Sequence, residues 1–220
     1  MNRPIAYTRP VAALFAAPLA ALSLTAPAQL PYDPAAVKKW SSVKVVRYEV
    51  VGEFARKHVQ IPPTDADLYA DITERVSFSV DWDVKKGVMA GRPEIRNDPG
   101  KATNLVGLDR KCPTGRMNGP YEHFDIVEIR HSAPKQALEL VGKRVHPETQ
   151  VAEACGNALR PYKGATKTVS EYVALPDPVM LAYGGMAKPG APVAVTPDGR
   201  SIRMKAQNSD WTWTLTPVAK

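Results

Sequence analysis

The pattern in this chain best suited to chemistry is His123-x-Asp125, with His131 further along the same stretch. An imidazole serves as a general base or a metal ligand, and a neighbouring carboxylate orients it. On an unbroken strand the three odd-numbered residues share a face. At about 3.3 Å per residue, however, His123 and His131 stand roughly 26 Å apart, too far to hold one ion. A metal-assisted hydrolase would need His123 and Asp125 plus a distant ligand such as His146 or His58, because three or four ligands must converge.

Other catalytic patterns are weaker. There is no Gly-x-Ser-x-Gly elbow to expose a nucleophile, and Ser77 and Ser79 read as solvent-side strand residues. Asp81 with Asp83, or Glu49 with Glu53, could pair as acid and base, but alternating acids are what a wet strand face carries. Gly184-Gly185 lacks the spacing and the lysine of a phosphate-binding loop. Cys112 and Cys155 have no nearby ligand spacing, so in an oxidising compartment they read as one disulfide. Closing that loop would add roughly 4 kcal/mol by the chain-entropy relation.

The aromatic candidates are Trp211 and Trp213, which point the same way, and Trp82 on another segment. A row of exposed rings could stack on sugars or rest at a membrane interface. Leu215 continues that face and Thr212, Thr214 and Thr216 cover the other, a pattern that favours packing into a core. An internal cavity for an apolar ligand is a further option.

These residues need a scaffold, and the run from Ile72 to Val84 defines it. Ile72, Val76, Phe78, Val80, Trp82 and Val84 take even positions, while Asp71, Thr73, Arg75, Ser77, Ser79, Asp81 and Asp83 take odd ones. Extended backbone alternates its side chains, so this run makes a half-buried antiparallel strand. Glu74 is the single polar residue on the apolar side.

Before it, Asp33-Pro34 offers an N-cap and a first helical residue for a short helix to Trp40. Val46, Tyr48, Val50 and Phe54 then share one strand face, with Gly52 marking a bulge or a close backbone approach. Ile61-Pro62-Pro63-Thr64-Asp65 interrupts the ladder. Lys85-Lys86-Gly87 turns the chain toward a returning Val88-Met89-Ala90. Residues 91–120, rich in proline and glycine, read as largely irregular and tethered by Cys112.

Strand character returns from Tyr121 to His131, with Phe124 and Ile126 on one face and Val127 and Ile129 on the other. Gln136 to Val141 suits either helix or strand, and Pro147 to Cys155 reads as a helix ending at Gly156. Val169, Val173 and Leu175 mark another strand. Thr196-Pro197-Asp198-Gly199 turns into a strand at Ile202 and Met204, and Asn208-Ser209 turns into the last one. The expected fold is mainly β, an antiparallel sandwich or partly closed barrel of seven to nine strands with one or two short helices; the sandwich is preferred.

Residues 1–28 read as a cleaved secretory signal peptide, leaving residues 29–220 as one exported β-rich domain. Arg3 and Arg9 precede an apolar run from Val11 to Leu24, and Ala26-Pro27-Ala28 supplies a small-residue cleavage site. The run is broken by Pro18 and falls short of the roughly 20 residues that span a bilayer, so no transmembrane segment is expected in the mature chain. Removing residues 1–28 lowers the formal charge from +7 to +5. Scattered basic pairs such as Lys38-Lys39 and Lys85-Lys86 give no nucleic-acid arm, only loose attraction to anionic polymers or lipid head groups.

The expectation is therefore a periplasmic or extracellular domain of bacterial type, without a cofactor. Its function is the non-catalytic binding of a ligand or partner such as an envelope component, glycan or lipid. The alternatives are the His123–Asp125 hydrolase and a purely structural envelope protein.

Overall fold

The computed structural model describes residues 32–61, 68–107, 115–119, 121–145, 149–153, 160–162, 166–183 and 192–220. The signal segment, Cys112, Cys155, His146 and Gly184-Gly185 lie outside them.

Helix α1 (Pro34–Ser42) starts as the sequence predicts. The Asp33 carboxylate accepts from the backbone N–H groups of Ala35 (2.9 Å) and Ala36 (3.2 Å), and Trp40 is buried below. The strands follow in order: β1 (Val45–Gln60), β2 (Leu68–Asp83), β3 (Val88–Met89), β4 (Glu94–Asn97), β5 (Lys101–Gly107), β6 (Gly115–Asn118) and β7 (His123–Ser132). Next come β8 (Ala137–Val145), β9 (Thr149–Glu153), β10 (Arg160–Tyr162) and β11 (Lys167–Ala174). A 3-10 turn at Pro178–Tyr183 then leads to β12 (Val193–Val195), β13 (Ile202–Lys205) and β14 (Trp211–Ala219).

The large sheet runs β12-β13-β14-β1-β2-β3, with β4 and β5 also laid along β2. A small sheet runs β11-β8-β7 and a third β10-β9-β6. Pairing is antiparallel throughout, and the sheets stay open rather than closing into a barrel. Among the described residues no helix is long and apolar enough to cross a membrane.

The alternation predicted for β2 is the organising feature. Val76, Phe78 and Val80 are buried and Trp82 packs beside them, while Arg75 is exposed. In register, Val46, Tyr48 and Val50 of β1 lie beside Trp82, Val80 and Phe78, and Leu215 and Trp213 of β14 complete the wall. The small sheet turns Phe124, Ile126, Ile129, Leu138, Leu140 and Val173 into the same core. Two sheets therefore meet face to face, as in a sandwich.

Gly52 is the close approach anticipated from the sequence. It stands opposite Trp213, whose ring would lie 2.2 Å from an added Cβ.

Three expectations are corrected. The stretch read as irregular contains β4, β5 and β6. The Pro147–Cys155 segment contains a strand, β9, because pairing with β6 and β10 outweighs its local helix signals. The third concerns β7, whose register shifts between Ile126 and Glu128. Val127 is extruded and exposed, and every later residue changes face, so Ile129 joins Phe124 and Ile126 in the core.

Candidate functional site

The same bulge puts His131 on a different face from the candidate pair His123 and Asp125. His131 turns to the core side and meets the edge of Trp82, with ring centroids 5.0 Å apart, while His123 and Asp125 stay on the other face. Asp125 accepts from Asn97 Nδ2 at 2.5 Å, and the same amide group pairs with the carbonyl and N–H of Ile126 at 3.1 and 3.0 Å. Asn97, at the end of β4, thereby pins β7 to the large sheet. His58 sits on a bulge of β1, stacked on Tyr69 at 4.4 Å. Among the described residues no three His, Cys, Asp or Glu side chains converge for a metal ion.

Trp211 and Trp213 are 0% and 1% exposed and stack on each other at 5.2 Å. They lie where Leu215 and the threonine pattern put them, inside the core, and not in a surface row. Trp82 is only partly buried.

The strongest polar cluster has no motif in the sequence. Glu74 faces inward from β2 with a side chain that is 0% exposed. Its Oε1 accepts from the backbone N–H of Phe124 on β7, and its Oε2 accepts from Arg144 Nη1 on β8 at 2.6 Å. Arg144 lies over the rings of Phe54 and Phe124. Glu171 of β11 stands within electrostatic reach of Arg144 and accepts from Ser209 at 3.0 Å.

Burial pushes the Glu74 carboxyl above its ordinary range, opposed by Arg144, by the Phe124 N–H and by His123. Glu171 is also raised by burial, opposed by Ser209 and Arg144. The apolar-side position of Glu74 was the visible signal. What it would meet was not visible, because its partners come from the opposite sheet.

Among the described residues, nothing covers the hollows on the outer face of the large sheet. One hollow of about 530 Å³ is lined by Arg47, Glu49, Ser77, Ser79, Glu94 and Arg96 among others. A second of about 620 Å³ adjoins it at the break between β4 and β5, where Thr73, Asp98 and Lys101 contribute. Arg75 lines both. From Ser79 to Thr73 the two span roughly 20 Å of strand, at about 3.3 Å per residue.

Arg47 is held in place, donating to Ser79 Oγ at 2.6 Å and Glu94 Oε1 at 2.9 Å, and Arg96 pairs with Asp98 at 3.3 Å. Arg75 stands exposed between these fixed pairs. Asp81 and Glu49, from the proposed carboxylate pairs, belong to this face too, where both lie near Arg47.

Comparison with family models, with curated proteins and with solved structures found no match to this chain.

Proposed function

We propose that the chain is exported through residues 1–28, carries a Cys112–Cys155 disulfide, and binds a polar ligand or partner at the bacterial envelope or outside the cell without transforming it. The observation that carries this reading is the division of its polar groups. Glu74 is buried and paired with Arg144, whereas Arg75 stands exposed at the hollows of the outer sheet face. Asp125, the carboxylate of the hydrolytic alternative, is already engaged by Asn97.

Interspersed arginines and acids on the outer face suit a partner with polar groups of both kinds better than a uniform polyanion. Trp211 and Trp213 are buried, which speaks against sugar stacking on them and favours a reading in which recognition uses hydrogen bonds and charge.

The test is a screen of the purified chain against envelope glycans, lipid vesicles and envelope proteins, read by thermal shift and by direct binding. Saturable binding of one class, unchanged by chelators, is the expected result. Turnover that depends on added zinc, manganese or calcium and is lost in His123→Ala would overturn the reading in favour of the hydrolase. Binding of nothing, together with an envelope defect on deletion, would favour the structural alternative.

A further inference from the structure

The Glu74–Arg144 pair joins two sheets at a point where no backbone ladder connects them. One carboxylate from the large sheet holds both the main chain of β7 and the guanidinium of β8. A buried ion pair is a poor source of stability, because desolvation offsets most of its attraction, but it fixes geometry. We propose that Glu74, Arg144 and Glu171 form a proton-operated clasp between the large and small sheets, in which proton uptake by Glu74 frees Arg144 to turn toward Glu171. Its assignment rests on the contacts of Glu74 and not on what the outer face binds.

The charges around Glu74 support this assignment. His123 approaches from β7 and Arg144 from β8, while Lys167 lies opposite Arg144 on β11 and Glu171 sits farther along that strand. The link between β4 and β5 brings Asp98 and Lys101 to the hollow that Glu74 also lines, beside Glu53 and Arg75. On β1 the residue opposite Glu74 is Phe54, and Arg56 beyond it is occupied by Asp210. Arg144 is thus the cation in hydrogen-bonding contact with Glu74, and Glu171 is the carboxylate that competes for it. When Glu74 takes up a proton, its Oε1 still accepts from Phe124, but the charge that held Arg144 is gone.

Two hydrogens report on the event. The Phe124 amide is bonded to Glu74, and the Trp211 indole ring packs against Phe54 and Phe124, the rings beneath Arg144. The experiment is an NMR pH titration of the full chain from pH 8 to 4, repeated for Glu74→Gln, Glu171→Gln and His123→Asn. The Phe124 amide and Trp211 indole signals should move together with a midpoint above 4.5. Glu74→Gln should abolish both shifts and His123→Asn should keep them. Glu171→Gln should lower the midpoint, because a competing negative charge is removed.

A flat Phe124 signal, a midpoint at or below 4.5, or a transition that survives Glu74→Gln or disappears in His123→Asn would overturn the proposal. If Glu74→Gln does not fold, an unchanged midpoint in Glu171→Gln would do the same.

Discussion

Arg144 offers the sharpest contrast among single residues. Arg144→Met leaves a sealed carboxylate with no cation beside it, which costs about 3–5 kcal/mol when a buried pair loses one partner. The cost depends on pH, with a definite sign. Glu74 and Glu171 titrate above their ordinary value of 4.5 in the folded chain. Their contribution to stability is therefore fully present below about pH 4.5 and is lost as the pH rises through the raised values. Arg144→Met should be most destabilised at pH 8 and recover toward pH 5, as measured by urea unfolding across that range.

Trp211→Ala empties a core position and should cost about 3–5 kcal/mol at any pH. The sequence made the burial of Trp211 legible through Leu215 and the alternating threonines. Glu74 was legible only as an exception to its strand's pattern, since nothing local indicates that β8 will bring Arg144 to it.

At the scale of the element, strands with long uninterrupted alternation were readable and those shaped by irregularities were not. β2 and β14 bury their expected faces because every second residue agrees. β7 begins the same way, but the extruded Val127 reverses its second half, and a bulge is set by the neighbouring strand as much as by the bulged residue. Gly142 marks that neighbour: an added Cβ there would meet the Phe124 ring at 2.4 Å and the Asp125 carbonyl at 2.5 Å. β9 is hard to read because proline and glycine flank it as they would a helix, while one of its ladder partners, β6, is distant in sequence.

Two substitutions test the elements directly. Gly52→Ala forces a methyl into the Trp213 ring and should cost about 1–3 kcal/mol in chemical denaturation. Asp33→Ala removes the cap of α1 and should cost about 1 kcal/mol, leaving the sheets intact by circular dichroism.

For the whole molecule, two sheets pack their apolar faces together, and the larger one turns a charged face outward. The proposed reading assigns recognition to the Arg75 hollows, and the most direct test is binding with their charge reversed. Arg75 is exposed on a wet face, so Arg75→Glu, which sets a like charge opposite Glu53, should lower the melting temperature only slightly and leave the chain folded. Measured against whichever envelope glycan, lipid or protein the wild-type chain captures, Arg75→Glu is expected to weaken binding at least about tenfold, or about 1.4 kcal/mol. Equal affinity of the two chains for that ligand would contradict the assignment of recognition to this face.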